Sequence, residues 1–368
     1  MTTSKGPGIY IHVPFCVRKC AYCDFTSFPA SEEVREAYVG RLIEEIREDK
    51  AAIEGASTIF FGGGTPSLLT PGQLERILGE LPRAQEVTLE ANPGTFDIQA
   101  IRIWQELGFN RLSIGVQSFD DAVLKRLGRI HDAKTAESAV RAAAERGINT
   151  NLDLMFGVPD QSISTWLETL ERACSLGASH VSAYSLQLEE GTPFYEEYRR
   201  GELELPAPQL DRRMYHEAAA YLESAGYRRY EISNFTRPGF ECRHNLGYWT
   251  MRPYRGFGLA AHSYMGGKRF YNTEDLAEYM AGAASIADED EDLKGDFIFT
   301  ELRLTEGFSL DEYARVCESA FEEDFSESAK RLAAQGYLDI TGGRIALTDK
   351  GMDSTNTVMR ELLEELHG

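Results

Sequence analysis

The sequence predicts an α/β fold: a partial (β/α)6 barrel of parallel strands followed by a small winged-helix-like α+β domain. Three observations predict it. From Gly8 to about Leu188, short β-branched runs alternate with helical patterns six times, the rhythm of βα units closing on a parallel sheet. The glycines, carboxylates and cysteines gather at the C-terminal ends of these strands, where parallel barrels place their chemistry. Past residue 293 the pattern becomes three helices and a hairpin turning on Gly342-Gly343, the outline of a winged helix.

Taken in order, the strands are expected at residues 9–13, 58–61, 86–90, 111–115, 150–155 and 180–186. Helices are expected at 31–52, 71–80, 97–107, 133–146 and 163–176. Ser31 opens the first of these, and Gly108, Gly147 and Gly177 stand just past helix ends, as start and stop signals should. After Gly191 the pattern changes to a tyrosine- and arginine-rich segment, a helix near 208–225 and a strand-like run at 227–233. A linker rich in Ala, Asp and Glu spans about 281–292. Helices at 294–304, 310–320 and 327–335 and the hairpin at 337–348 follow. The expected divisions are a barrel over 1–235, a connecting segment over 236–292 and a C-terminal domain over 293–368.

Composition narrows the class. Hydrophobic residues at 42% and charged residues at 26% are those of an ordinary globular chain. No run reaches the length of a membrane span, and the opening MTTSKGPG has no apolar signal core, so a cytoplasmic location is expected. The net charge of -21, from 59 acidic and 38 basic residues, argues against nucleic acid, which is met by clustered Lys and Arg. Glu318, Glu322, Glu323 and Asp324 argue the same for the winged-helix-like domain.

The first strand runs straight into Cys16, Cys20 and Cys23, spaced C-x3-C-x2-C. Three thiolates on one tight loop can each hold one iron of a 4Fe-4S cube, leaving the fourth iron open to a substrate. Zinc is the competing reading. Structural zinc wants four closed ligands, and the nearest fourth donors, His12 on the strand and Asp24 beside Cys23, are poorly placed. Disulfides are not needed in a chain of this length; Cys174 and Cys317 fall within helical patterns as packed apolar residues.

With Tyr22 before its last cysteine, this loop resembles that of the radical S-adenosylmethionine superfamily, whose open iron chelates the methionine amino and carboxylate groups. The string from His12 to Phe25 resembles, within it, the oxygen-independent coproporphyrinogen oxidase-like group. The likeness covers nearly the whole chain. It implies a cluster on Cys16, Cys20 and Cys23, and S-adenosylmethionine held by Tyr10, Tyr22, Gly63, Gly64 and Thr65. It also assigns Glu90, Gln117, Arg129 and Asp153 to that cofactor. Several of these have a reading of their own. The glycines of Phe61-Gly-Gly-Gly-Thr-Pro66 let backbone N–H groups approach a ligand, or simply form a tight turn. Glu90 ends an apolar strand, where burial without a partner is costly. Arg129 reads as an ordinary surface arginine, and its assignment rests on the resemblance alone.

The second informative stretch is Cys242-Arg-His244-Asn245-Leu-Gly-Tyr248-Trp249, which resembles the HNxxYW motif of the heme-chaperone branch of that group, HemW. Cys242 and His244 are axial-ligand types for heme iron; Tyr248 and Trp249 suit a porphyrin face, and Arg243, Arg252 and Arg255 suit propionates. His262 is a further candidate. The other reading has this segment close the barrel's open side, with His244 hydrogen-bonded in place.

Two functions fit this scaffold. One is the oxidase, in which an electron from the reduced cluster cleaves the C5'–S bond and the deoxyadenosyl radical attacks a propionate of coproporphyrinogen III. The other is a chaperone that keeps the cofactors but binds heme and passes it to apo-proteins such as respiratory cytochromes. Two departures from the oxidase pattern favour the chaperone: Phe25 stands where a further cysteine belongs, and only a short stretch precedes the first strand. A radical enzyme acting on another small substrate is a third reading, since barrels host many chemistries. The resemblance further implies an electron donor for the cluster and transient visits to a membrane, for which no amphipathic anchor is visible.

Overall fold

A computed structural model describes residues 6–288 and 292–367. Residues 1–5, 289–291 and 368 lie outside the described residues, and with them part of the opening segment and of the acidic linker expected at 281–292.

Six parallel strands carry the molecule: β1 (Gly8–Val13), β2 (Thr58–Gly63), β3 (Glu86–Ala91), β4 (Arg111–Gln117), β5 (Asn149–Phe156) and β6 (His180–Ser185). Each lies beside its predecessor, so every helical crossover steps one place in the same direction. Gly8 faces Thr58 and Val13 faces Gly63, and this register brings the strand tips level. The inner and outer faces are both covered: Ile9, Ile11 and Val13 are fully buried on one face of β1, and Gly8 and His12 are buried on the other. Such burial is why these strands read as apolar runs rather than as alternations.

The intervening helices start and stop where the chain offers caps. Asp97, Asp132 and Ser162 each accept a backbone N–H at a helix start. Gly108 and Gly147 end helices with φ of 106° and 63°, a conformation that favours glycine. Ser31 sits at the N-cap of the helix Glu32–Glu48, but its side chain makes no capping bond.

The barrel stays open, because β1 and β6 have other neighbours. Short strands β7 (Arg228–Arg229) and β8 (Asn234–Thr236) extend the sheet beyond β6. Beyond β1 lie β9 (Tyr254–Phe257), β10 (His262–Met265), β11 (Lys268–Tyr271) and β12 (Ile286–Ala287). Within the interval 236–292, expected to be a connecting segment, β9 to β12 thus join the sheet. The reason is physical: without the parallel pairing of β9, running from Gly8↔Tyr254 to Ile11↔Phe257, β1 would expose an unpaired row of N–H and C=O groups. Arg255 fixes this annex from within, its guanidinium bonded to Asp49 at 2.7 Å and lying beside the buried Glu45.

The C-terminal domain contains helices at Leu293–Glu301, Leu310–Cys317 and Ser326–Ala334 and the hairpin of β14 (Leu338–Thr341) and β15 (Arg344–Leu347). Ahead of these strands β13 (Phe308–Ser309) adds a third strand beside β15. Gly342 and Gly343, with φ of 58° and 74°, make the tight turn that glycine pairs favour. Phe297, Phe308, Tyr313, Phe321 and Phe325 pack edge to face as a core separate from that of the barrel. A last helix, Thr355–His367, lies beyond the expected hairpin and buries Val358, Met359 and Leu362 against this core.

Candidate functional site

The loop after β1 is fastened along its length. Cys16 donates its backbone N–H to Phe28 at 3.1 Å and Phe28 donates back to Pro14 at 2.8 Å, closing the loop at its base. His12, whose Nε2 lies 2.9 Å from the Thr26 carbonyl, adds a side-chain brace. The far side is pinned by Ala21, which donates to Leu127 and accepts from Phe194. All three cysteines are free, half-buried and on the wall of one cavity of about 420 Å³.

The strand tips form the rest of that wall. Gly63, Gly64 and Thr65 come from β2, Glu90 and Asn92 from β3, Gln117 from β4, and Asp153 from β5. The glycines are required by contact as well as by turn. A Cβ on Gly63, at φ 105°, would lie 2.5 Å from the His12 ring, and one on Gly64 would lie 2.5 Å from the Phe15 carbonyl oxygen. Gln117 reaches the cavity from a bulge where β4 loses register with β5, its φ of 65° placing a non-glycine residue in the left-handed region. Such a conformation costs of order 1–3 kcal/mol and clusters at functional sites.

Charge is arranged with equal care. Arg129 reaches in from the segment after β4: it donates to the Gly115 carbonyl at 2.5 Å, to the Asn92 side-chain oxygen, and to the Cys20 sulfur at 3.6 Å. Glu90 accepts the Gly63 N–H at 3.2 Å, while Asp153 accepts from Ser113 at 2.9 Å and from Asn151 at 2.8 Å. Burial, with the nearby Asp153 charge second, pushes the Glu90 carboxyl up to about 8. Burial also raises Asp153, against the pull of its hydrogen bonds. Two carboxyls with pKa raised by burial on one wall mark a candidate site for a ligand that brings donors or positive charge.

Three thiols on one loop are a donor set that fits a cluster, in which each thiolate would meet a different iron. Tyr22 lines the cavity, whereas Tyr10 lies beneath it, its hydroxyl 3.1 Å from His12 Nδ1.

The 242–249 stretch lies at the opposite end of the barrel. It forms a short helix, Arg243–Trp249, seated on the first residues of the strands. Glu86, which begins β3, accepts the backbone N–H groups of Arg243 and His244 at 3.0 and 2.9 Å and faces the Cys242 sulfur at 3.6 Å. His244 has both ring nitrogens occupied, Nδ1 by Thr58 at 2.9 Å and Nε2 by Tyr248 at 2.8 Å. Burial, aided by Arg252 and Arg111, lowers its pKa to about 3. Cys242 and His244, expected as candidate heme ligands, are therefore buried and engaged within the fold. Asn245, Tyr248 and Trp249 are half-buried. Tyr248 and Trp249 face a second cavity of about 280 Å³ between the barrel and the C-terminal domain. Arg255 is buried against Asp49, and His262 stacks on Tyr271 at the sheet annex, away from both cavities.

Sequence reasoning assigned no role to Asn92, Ser113 or Tyr184, all on the wall of the first cavity. Asn92 stands just past the end of β3, and its bonds to Arg129 and to Thr65 Oγ1, at 2.7 Å, explain its place. Ser113 lies inside an apolar strand and gave no signal.

A partial parallel barrel that gathers three loop cysteines beside glycine- and carboxylate-bearing strand tips is the architecture of a radical SAM protein. The Radical SAM superfamily model matches residues 10–173, and the HemN C-terminal domain model matches residues 289–353. The solved coproporphyrinogen III oxidase (HemN) of Escherichia coli shares the fold, with a TM-score of 0.82 at 23% identity, over 97% of this chain and 90% of that one. Sequence likeness carries further. The heme chaperone HemW of Lactococcus lactis is 34% identical over 98% of each chain. That of Escherichia coli is 36% identical over 97% of this chain and 98% of its own. The chain belongs to the HemW family.

Proposed function

We propose that this chain is a heme chaperone, which binds heme and delivers it to apo-proteins, on a scaffold that carries a 4Fe-4S cluster and S-adenosylmethionine. The observation that carries the reading is likeness to proteins named heme chaperone HemW along the whole chain, barrel and C-terminal domain alike. Phe25, 60% exposed on the wall of the first cavity, supports it, because the oxidase pattern has a cysteine there.

In this reading Cys16, Cys20 and Cys23 hold the cluster, which supplies one-electron chemistry to the sulfonium when present. The chain's own residues position the cofactor. Backbone at Gly63 and Gly64 approaches it closely, Glu90 and Asp153 accept its amino and hydroxyl protons, and Gln117, Thr65 and Tyr22 close around it. Arg129 braces Cys20 and Asn92 together. Tyr10 acts from beneath, through His12. Heme is received at the second cavity, which Tyr248, Trp249, Tyr254 and Tyr264 line and where Met251 brings a soft sulfur donor. The indole N–H of Trp249 is buried there without a hydrogen-bond partner. Among the described residues no helix is long and apolar enough to cross a membrane, and a cytoplasmic location suits reduced thiols.

The test is a hemin titration of the anaerobically reconstituted chain, run beside an incubation with coproporphyrinogen III and S-adenosylmethionine. Hemin is expected to bind and no decarboxylated product to form; product would overturn the reading in favour of the oxidase. Trp249→Ala is expected to weaken hemin binding about tenfold, the loss of roughly 1.4 kcal/mol of ring contact. Unchanged affinity would remove the second cavity as the heme site.

A further inference from the structure

An ion pair on the wall of the second cavity joins two parts of the fold. Arg269 of β11 pairs with Asp296, which lies in the first turn of the helix Leu293–Glu301. The sheet lays out the approach to it. Tyr254 of β9 stands opposite Tyr264 of β10, and Tyr264 stands opposite Arg269 of β11. Residues directly opposite on neighbouring strands share a face, so the three form one row across the annex. With about 4.8 Å between strands the row spans about 10 Å, comparable with the width of a tetrapyrrole ring. At one end Tyr254 meets the Tyr248 ring edge to face at 4.5 Å, which continues the row into the helix Arg243–Trp249. The other end is a cation.

Asp296 is a loose partner for that cation. Partial burial raises its carboxyl despite the opposing pull of Arg269, and the charges of Asp292 and Asp288 add to the rise. The pair borders both the second cavity and a neighbouring one of about 400 Å³. The neighbouring wall carries Asp288 and Asp292 and repels an anion, while the second cavity has Arg252 and Arg269 against the single acid Asp296. A carboxylate that reaches Arg269 therefore comes from the side of the tyrosine row. At about 280 Å³ the second cavity is at the small end for a ligand pocket, so a tetrapyrrole enters it by an edge. The edge that a cation selects is the one bearing propionates.

We infer that Arg269 receives a propionate carboxylate of heme in place of Asp296, and that Asp296 recovers the cation when heme leaves. One charge-assisted pair replaces another, so the exchange selects for a carboxylate while the internal competitor holds the affinity down. A carrier needs release as much as capture. This assignment rests on the heme reading of the second cavity and names which group of the ligand meets which side chain.

The test titrates the full chain with hemin and, separately, with hemin dimethyl ester, whose carboxylates are blocked. The parent is expected to bind hemin about tenfold more tightly than the ester. R269Q is expected to lose that preference, with hemin weakened about tenfold and the ester unchanged, and R269K to restore part of it. D296N removes the competing carboxylate and is expected to bind hemin more tightly than the parent. A pair that served only to hold the helix to the annex would instead leave D296N as weak as R269Q. Urea unfolding checks that each variant folds; should R269Q fail to fold, R269K and D296N carry the comparison. Equal parent affinity for hemin and ester, full hemin affinity in R269Q, or D296N weakened like R269Q would each overturn the inference. Trp249→Ala, run alongside, separates this assignment from the reading beneath it. Hemin binding weakened by Trp249→Ala but not by R269Q leaves the heme site standing and removes Arg269 alone. Hemin binding indifferent to both removes the site itself.

Discussion

Glu90 is held out of its ordinary range by burial, and this makes it a measurable handle. Its pKa, pushed up to about 8, lies above the ordinary glutamate value of 4.5, so the folded chain holds the proton more tightly than the unfolded one. That stabilisation is fully present below about 4.5 and is lost as pH rises through about 8. Glu90→Gln removes this slope, and urea unfolding of the cofactor-free chain is expected to show the variant gaining on its parent between pH 6 and pH 8.5. A constant difference across that range would contradict the assigned burial. Gly63 provides a second handle. Alanine there must adopt φ 105° and crowd His12, so Gly63→Ala is expected to lose about 1–3 kcal/mol of stability and most of its S-adenosylmethionine affinity in calorimetric titration. At this scale the cysteines, Gly63 and Glu90 were legible because each sits where a strand should end, whereas Asp153, inside β5, came from the resemblance. Arg129 was not: nothing in its neighbours tells that its guanidinium folds back to Cys20.

The short helix Arg243–Trp249 shows how an element can resist reading. Its residue types, Cys, His, Tyr and Trp, are those of a metal or porphyrin site, and the sequence alone left that reading open beside a structural one. The register of the barrel supports the structural one. The first residues of β2 and β3 are Thr58 and Glu86, and the acceptors and donors they present at the closed end match the helix N–H groups and His244. His244→Ala would strand the Thr58 and Tyr248 hydroxyls beside a cavity, and a loss of about 2–4 kcal/mol is expected in urea unfolding, with hemin affinity of the folded protein unchanged. Loss of hemin binding without loss of stability would restore the histidine as a ligand. The helix Thr355–His367 is a simpler omission. Its buried Val358, Met359 and Leu362 follow helical spacing, but the winged-helix outline was already complete at the hairpin.

For the whole molecule, the six-step parallel order was legible because buried strands and capped helices alternate so regularly. The sheet annex from β9 to β12 was not, since its strands run only two to four residues and β9 pairs with β1 across 246 positions of chain, Gly8 with Tyr254. Bridges such as Arg212 to Asp353 at 3.3 Å and Arg229 to Asp349 at 2.5 Å tie the C-terminal domain to the barrel. The net charge of -21 works against compactness, and salt screens it. Thermal unfolding is therefore expected to shift upward as sodium chloride rises to about 0.3 M, where the Debye length falls below ~8 Å; a downward shift would give the surface ion pairs the larger part.

The measurement that most directly tests the central claim is iron and sulfide content together with the electron paramagnetic resonance spectrum of the reduced, anaerobically reconstituted chain, with and without S-adenosylmethionine. The prediction is about four irons and four sulfides per chain, lost when any one of Cys16, Cys20 and Cys23 becomes serine, and a spectrum that shifts when the cofactor reaches the open iron. A tightly held single zinc, or a cluster whose spectrum is unmoved by the cofactor, would contradict it.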